Sequence, residues 1–490
     1  MKAGEIQHRL ASTNRWWADR HGWAAGDSDL REAARAPFSY TTGVLDDLTP
    51  GGLYVVRGPR RVGKSVAMKR AVQRLIDGGV DPRLIVHMSV EGWGEADLER
   101  LVGAASQITP TGAPRYWFLD EISGVAGRWP DRIKWLRDND PRFRSDTVVL
   151  TGSSSSNLKE SLGALAGRRG GAVDPDRVLL PMGFRSFVSF AAEQGPQLDD
   201  LGPFQPDDLD HELLEQAVYG LMPWLHVLVA AWETYLQIGG FPQAVASYVR
   251  SMNVSEPWQQ PELPGLVPPV SHAINASLLV SLQEAINADA FKRARLSSIQ
   301  SSELLRQIVD GMCSPTNHSR IARDINVAPR TASERLGDLR EALVVWPAHQ
   351  ADGERLTPKP RAQFKTYFCD PAYTLLTGDG GADFTRLSEQ QLGMALLRSI
   401  ERLRPSSYVD FGRLLYHRNQ TNREIDFVGR DLGDVAIESK YVDGGWRGTA
   451  GRTIKASPWR GIVATRTEVN LDDPQLVAVP TAVLAWLIDS

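Results

Sequence analysis

The chain has few cysteines and no excess of charge of one sign, and its first five residues are not an apolar run. Its 490 residues include only Cys313 and Cys369, which lie far apart in sequence and form no metal-binding or redox motif. This scarcity excludes a disulfide-rich secreted domain and is typical of a reducing compartment. Residues Met1 to Glu5 lack the apolar core of a secretion signal. We therefore expect a cytoplasmic protein.

The charge balance gives no sign of a protein whose whole surface is basic and binds polyanions. The formal net charge is −4, so any contact with nucleic acid needs a local basic patch. Composition is ordinary for a globular protein. The length predicts about three domains, at roughly 150 residues each.

Long uncharged apolar stretches are also scarce, and one needs a membrane check. Residues 216–232 carry no formal charge, but they contain Gly220 and Pro223 and are bracketed by Glu215 and Glu233. A membrane-spanning helix needs about 20 apolar residues. We expect buried helices here and no membrane partner.

One local motif carries the strongest chemical signal. It follows the short apolar run 53–56 and precedes a stretch whose apolar residues recur at helical spacing. The motif reads Gly58-Pro59-Arg60-Arg61-Val62-Gly63-Lys64-Ser65, with Val66 next. It matches the pattern G-x-x-x-x-G-K-[ST], in which backbone N–H groups cradle phosphates, the lysine reaches the outer phosphates and the hydroxyl ligates Mg²⁺. A chance match in an arginine-rich turn is the alternative.

Strands alternate with helices around this motif, which predicts an α/β fold with a parallel sheet. The predicted strands are 53–56, 83–88, 116–121, 147–152 and 177–181. In such sheets ligands bind beyond the carboxyl ends of the strands. The motif, the pair Asp120-Glu121 and the polar residues from Thr151 onward all lie at such ends.

The pair Asp120-Glu121 ends an apolar strand about 55 residues after the motif. Asp120 is expected to hold Mg²⁺, and Glu121 to orient and deprotonate the attacking water. Thr151, Ser153 and Ser154 are candidates to sense the γ-phosphate, although any of them can instead cap the next helix. Arg168 is a candidate to touch the γ-phosphate within its own chain or in a neighbouring subunit, or else a solvated arginine.

The rest of the chain divides into three predicted regions that follow an N-terminal helical segment (1–43) and the core (44–188). Residues 189–300 read as a helical lid with an acidic insertion and a Pro-rich insertion. The turn at residues 239–242 is expected to be structural. Residues 301–347 read as a winged helix-turn-helix, which serves either DNA contact or protein interaction. Arg330 and Arg335 are the residues to test for DNA contact.

The last region, 348–490, carries a third constellation. Asp426 lies on one predicted strand, and Glu438 and Lys440 point to the same side of the next. Two carboxylates and a lysine so arranged can hold a divalent metal and activate water for phosphodiester hydrolysis. A surface charge cluster on a hairpin is the alternative.

Taken together, these motifs resemble a bacterial and archaeal family that joins an AAA-type P-loop ATPase to a C-terminal domain with a restriction-endonuclease-like fold. The further marks of the resemblance are residues 118–122, 150–154, 165–168, 180–184, 239–242, 365–370, 424–428 and 438–440. The resemblance implies ATP and Mg²⁺ at Lys64, Ser65, Asp120 and Glu121. It also implies a nuclease-like centre at Asp426, Glu438 and Lys440, with Glu389 as a further metal ligand.

This sequence departs from the family at Ser439, where an aliphatic residue is usual, and in its two insertions. The resulting hypothesis is a homo-oligomeric ATPase that drives or gates a winged-helix and nuclease-like module on DNA or on a protein partner. The alternatives are a metal-dependent DNA nuclease switched by ATP, and an ATP-gated interaction protein with an inactive nuclease fold.

Overall fold

Two compact units make up the chain in a computed structural model. One is Met1–Leu180, and the other comprises Pro181–Arg404 with Val409–Ser490. The structure describes residues 2–152, 163–191, 201, 203–205, 209–254, 276–287, 298–359, 361–377, 383–403 and 411–489. Ser153, Ser154 and most of the helix expected before Arg168 lie outside these ranges.

The first unit is built on a five-stranded sheet in which every pair of neighbours is parallel. The strands are β1 (Leu53–Arg57), β2 (Ile85–Ser89), β3 (Tyr116–Asp120), β4 (Thr147–Gly152) and β5 (Asp176–Val178). Their order is β2-β3-β4-β1-β5. Leu53 and Val55 face one hydrophobic cluster, whereas Tyr54 and Val56 face another. Both faces are therefore covered, and the predicted parallel sheet is confirmed.

Seven helices within the described residues pack around this sheet. They are α1 (Ala3–Thr13), α2 (Trp23–Gly26), α3 (Ser28–Ala34), α4 (Lys64–Asp77), α5 (Glu95–Ile108), α6 (Trp129–Asn139) and α7 (Pro141–Ser145). α1 ends at Thr13, and the next residue, Asn14, leaves the helical conformation with φ −91° and ψ 66°. The Asn14 amide donates to the His87 carbonyl (3.1 Å) and accepts from the His87 N–H (2.6 Å).

The N-terminal segment thus closes the β2 edge of the sheet. Trp16 and Trp17 both donate their indole N–H groups to the Ile85 carbonyl, at 3.0 and 2.9 Å. Together with Asn14 they satisfy backbone groups of an edge strand, which would otherwise be open to pairing with another chain. The tryptophans have a structural role here.

The second unit contains eleven helices within its described residues. They are α8 (Phe184–Ala191), α9 (His211–Leu221), α10 (Leu225–Ile238), α11 (Pro242–Val254), α12 (Ala276–Ala285), α13 (Ser298–Gly311), α14 (His318–Asp324), α15 (Pro329–Glu341), α16 (Phe384–Leu403), α17 (Thr449–Lys455) and α18 (Thr481–Ile488). A 3₁₀ turn, Met222–Trp224, separates α9 from α10. By length and composition His211–Ile238 could cross a membrane, although one such stretch is weak evidence. Only 28% of its most apolar window is buried, which is less than the buried helices expected here.

A mixed seven-stranded sheet forms the other part of this unit. Its strands are β6 (Val345–Gln350), β7 (Phe364–Phe368), β8 (Leu415–Arg418), β9 (Glu424–Val428), β10 (Val435–Lys440), β11 (Arg460–Thr465) and β12 (Leu476–Pro480). Their order is β12-β11-β10-β9-β8-β6-β7. β6 pairs with both β7 and β8, so the domain boundary expected between residues 347 and 348 falls inside a strand of this sheet.

Three of the quoted sequence motifs meet where the helices join this sheet. Gly239 has φ +76°, and a Cβ there would lie 2.0 Å from the Asp370 carboxylate. Asp370 accepts the N–H of Gly240 at 2.8 Å, and the Gly240 carbonyl accepts the N–H of Met182 at 2.8 Å. The Gly-Gly turn is therefore a packing device, as expected.

Candidate functional sites

The glycine-rich loop lies between β1 and α4, where the sequence predicts it. Gly63 precedes α4 with φ +103°, a conformation that suits glycine, and Arg61 is also left-handed with φ 65°. A Cβ on Gly58 would meet the Leu179 carbonyl oxygen at 2.4 Å. The two glycines are thus required by backbone geometry. The N-terminus of α4 opens directly on the loop and favours an anion.

Lys64 is mostly buried and folds back over the loop. Its ammonium donates to the carbonyl oxygens of Gly58 (2.8 Å) and Pro59 (3.0 Å). A carbonyl oxygen is a neutral acceptor, and a phosphate oxygen is a stronger one for an ammonium group. The lysine can therefore exchange these contacts for a phosphate.

Asp120 is the centre of the polar contacts at the end of β3. Its Oδ2 accepts the Ser65 hydroxyl at 2.7 Å, and its Oδ1 accepts the Glu121 N–H at 3.0 Å. The buried Thr151 hydroxyl, from the end of β4, also donates to Oδ1. Three elements thus fix the orientation of one carboxylate, and the predicted residues Ser65, Asp120 and Thr151 do come together.

Glu121 stands in strained backbone beside this group. Its φ of 54° and ψ of 42° are left-handed, a conformation uncommon for residues other than Gly, Asn and Asp. Strain of this kind costs about 1–3 kcal/mol and clusters at functional sites. The residues present fit Mg²⁺ and a nucleotide, since a hydroxyl and a carboxylate oxygen lie 2.7 Å apart next to the loop lysine.

Arg168 does not reach this site within the chain. Its guanidinium bonds both oxygens of Asp138 at 3.1 Å, and the carbonyl of the adjacent Arg169 accepts the N–H of Leu53. Leu53 begins β1, whereas the loop follows the end of β1, roughly 15 Å away for a strand of this length. Arg168 therefore lies near the start of β1, on the side away from the loop, and its contact with a γ-phosphate stays a prediction. Ser153 lies outside the described residues.

The second set of predicted residues, in the other unit, also comes together. Asp426 accepts the Ser439 N–H at 2.9 Å, and Glu438 accepts the Asp426 N–H at 3.2 Å. Lys440 pairs with Glu438 at 3.0 Å. Asp426 and Glu438 are about 95% buried, so this is not a surface charge cluster.

Sequence reasoning missed the residue that organises this set. Lys365, from β7, places its ammonium 2.6 Å from Asp426, 3.1 Å from Glu389 and 3.6 Å from Glu424. We call Glu389, Glu424, Asp426 and Glu438 the carboxylate cluster. The signal available in the sequence was a lysine inside an otherwise apolar strand, where a charge requires a partner.

Burial and mutual repulsion set the ionisation of the carboxylate cluster. Burial, and then the Asp426 charge, raises the pKa of Glu389 to about 7 and that of Glu438 to about 8. Burial alone would lower the pKa of Lys365, but Asp426 and Glu389 raise it well above its ordinary value. Lys365 therefore stays protonated, and its single positive charge is the partner of several carboxylates around it.

The fold and loop of the first unit define a P-loop nucleotide-binding protein. More narrowly, residues 51–188 match the model of the AAA domain, so the chain contains an AAA-type P-loop ATPase domain. No curated protein matches the sequence.

Solved structures add distant likenesses. The Walker-type ATPase PABY2304 of Pyrococcus abyssi is 12% identical, with 74% of this chain and 95% of that one covered and a TM-score of 0.37. The RuvB Holliday junction branch migration motor of Thermotoga maritima is 13% identical, with coverages of 64% and 84% and a TM-score of 0.25. A DNA polymerase III gamma subunit-related protein of the same organism is 14% identical, with coverages of 61% and 95% and a TM-score of 0.25. These TM-scores are too low to carry an argument, and the family match alone assigns the domain.

Proposed function

We propose that the chain hydrolyses Mg²⁺-bound ATP at the P-loop and uses the cycle to drive or gate its second unit. The observation that carries this proposal is the carboxylate of Asp120, which three hydrogen bonds orient against Ser65. Bound Mg²⁺ would be held by Ser65 and Asp120 and would neutralise charge on the phosphate oxygens. Lys64 and the loop N–H groups would bind the phosphates, with Arg60, Arg61, Val62 and Val66 around them.

Glu121 is proposed as the base that orients and deprotonates the attacking water. Its position next to Asp120, at the carboxyl end of β3, suits that role. A glutamate in this position acts on water only when a nucleotide is in place, so binding and turnover are separable.

The test separates those two steps. Glu121→Gln is expected to bind ATP as tightly as wild type and to lower the rate of phosphate release at least about 100-fold, because it removes the general base. Asp426→Asn, a carboxylate-to-amide change in the other unit, is the matched control and should keep wild-type turnover. Phosphate release that is unchanged in Glu121→Gln would contradict the assignment.

We propose DNA as one target of the second unit, on the strength of α13–α15 and the β6–β7 hairpin, an arrangement typical of a winged helix. Arg330 on α15 is 90% exposed and pairs with Glu334, whereas Arg335 is 13% exposed and pairs with Asp338. Arg330→Ala should weaken binding to any duplex sequence and reduce its salt slope by about 1, with Arg306→Ala on α13 as the control. Equal, salt-independent binding by all three proteins would instead favour a protein partner.

We also propose a homo-oligomer in which Arg168 acts on the nucleotide of a neighbouring chain. What supports this is the distance of Arg168 from its own P-loop, together with its exposed pairing with Asp138. Arg168→Ala should then lower turnover without weakening ATP binding, and wild-type activity per chain should fall on dilution. Full activity of a monomer would contradict the proposal.

The second candidate function is an ATP-gated interaction protein whose carboxylate cluster performs no chemistry. The specific observation in its favour is the ammonium of Lys365 between Asp426 and Glu389. Wild-type protein that binds ATP, releases no more phosphate than Glu121→Gln and cleaves no more DNA than Asp426→Asn would select this candidate.

A further inference from the structure

The carboxylate cluster has the residue types of a divalent-metal site, but its geometry does not fit one. A divalent cation in such a site needs several oxygen ligands that converge at about 2.0–2.6 Å. Among the residues that the structure describes, no group of three or more His, Cys, Asp or Glu side chains is arranged to hold a metal ion. The expected ligands Glu389, Asp426 and Glu438 do not converge on a common point free of other donors.

The place between Asp426 and Glu389 is taken by an ammonium group. Lys365 is 2% exposed and contacts Asp426 Oδ1 at 2.6 Å and Glu389 Oε1 at 3.1 Å. Glu424 approaches the same nitrogen at 3.6 Å, and the ring of Tyr416 lies 5.6 Å from it. A metal ion that bridged these carboxylates would have to occupy the volume of the Lys365 nitrogen.

Further donors of the chain itself also contact oxygens of the cluster. Asp426 Oδ2 accepts the Ser439 N–H, and Glu389 Oε1 accepts the Tyr367 hydroxyl at 2.7 Å. Glu438 accepts from Lys440 and from the Asp426 N–H. Buried carboxylates need such partners, and here backbone and side-chain donors supply them.

The charges around the cluster also disfavour a bound divalent cation. Lys365 and Lys440 place two positive charges among four carboxylates, and Arg418 approaches Glu424 at 3.4 Å. A divalent cation entering beside Lys365 would be attracted by the carboxylates but repelled at close range by the ammonium, and this repulsion lowers its affinity.

We infer that Lys365 is a built-in cation that takes the place of a divalent metal in the carboxylate cluster. The cluster then joins α16, β7, β9 and β10 through ion pairs rather than through a metal, and it performs no metal-dependent hydrolysis. This inference is independent of whether the P-loop hydrolyses ATP.

The experiment counts bound Mn²⁺ by the electron paramagnetic resonance signal of the free ion, in full-length protein without nucleotide. Four proteins are compared: wild type, Asp426→Asn, Lys365→Ala, and the double variant Lys365→Ala/Asp426→Asn. Lys455→Met, which removes an exposed lysine paired with Asp473 on the surface, is the control for charge alone. Circular dichroism establishes which variants are folded.

Wild type and Asp426→Asn are expected to bind Mn²⁺ alike, because no ion binds at Asp426. Lys365→Ala is expected to gain Mn²⁺ affinity of about tenfold or more, and the double variant to lose that gain. An Asp426-dependent Mn²⁺ site in wild type would overturn the inference, as would a folded Lys365→Ala that gains nothing.

If Lys365→Ala does not fold, the comparison of wild type with Asp426→Asn decides. Equal Mn²⁺ binding by these two proteins supports the inference, and a loss of binding in Asp426→Asn rejects it.

Discussion

The P-loop site and the carboxylate cluster contain similar residue types, but their buried lysines have different kinds of partner. At the P-loop, Lys64 donates to two neutral carbonyl oxygens, at 2.8 and 3.0 Å. In the carboxylate cluster, Lys365 contacts three carboxylates and is almost fully buried. The first lysine can leave its partners for a phosphate at little cost. The second cannot leave without stranding buried charges.

This difference distinguishes a site whose donors can exchange their partners for a ligand from a site whose charges are already paired within the chain. An unliganded binding site keeps its strong donors on weak, exchangeable acceptors, and its strained residues next to them, as Glu121 shows. A structural centre pairs each charge with an opposite one. Residue type alone does not distinguish the two, because both sites contain Lys and Asp.

The largest expected effect comes from removing the buried lysine. Lys365→Met should lower the free energy of unfolding of the second unit by about 3–5 kcal/mol, because it leaves buried carboxylates without their cation. Lys365→Met/Asp426→Asn removes both partners and should recover part of the loss. Urea unfolding measures both. If the double variant is as unstable as the sum of its single variants, the pairing seen here is not what stabilises the unit.

The P-loop lysine should show the reverse pattern. Lys64→Met is expected to leave the urea midpoint near wild type and to weaken ATP binding about 100-fold, since Lys64 contributes mainly once phosphate is present. The matched control is Lys69→Met on the same helix, which breaks ion pairs to Asp27 and Asp29 at 2.8 and 2.7 Å. That variant should lose stability and keep ATP affinity. A fluorescent ATP analogue and urea unfolding together report both effects.

The P-loop site and the carboxylate cluster also differ in how well the sequence predicts them. Lys64, Ser65 and Asp120 were predictable because the loop is contiguous and a parallel sheet brings strand ends to one edge. The contact of Lys365 with Asp426 was not, because the two residues are 61 positions apart in sequence and lie on strands that two others separate in the sheet. The distance of Arg168 from the P-loop likewise depends on how the chain returns to the start of β1.

Thr151 gives a smaller and more specific effect on the P-loop side of the comparison. Thr151→Val removes the hydroxyl that orients Asp120 and should lower turnover about tenfold, as a positioning residue rather than a catalytic one. The Mg²⁺ concentration for half-maximal turnover should rise, because Asp120 is less well held. Thr151→Ser keeps the hydroxyl and should recover most of the rate. A lower rate with unchanged Mg²⁺ dependence would argue against this role.

The smallest expected effect concerns Asp370. It is a buried acid whose hydrogen-bond donors are backbone N–H groups, and within the described part of the chain no lysine pairs with it in the way that Lys365 pairs with Asp426. It accepts from Gly240 at 2.8 Å and Ala372 at 2.9 Å, and burial raises its pKa to about 7. The ordinary value for an unfolded chain is about 3.9. Between these values the folded state binds more protons than the unfolded state, so this group's contribution to stability falls as pH rises from about 4 to about 7 and is constant above.

Asp370→Asn removes that titration, so the pH profile of the variant should be flatter than that of wild type. At pH 5 the variant is expected to be less stable by about 1–2 kcal/mol, because an amide cannot accept from both N–H groups. By pH 8 the gap should shrink, since wild type has by then lost the favourable protonated form. Urea unfolding at pH 5, 6.5 and 8 measures the gap. Parallel profiles would mean that Asp370 is ionised throughout and that its two N–H donors stabilise a buried charge as effectively as a lysine does.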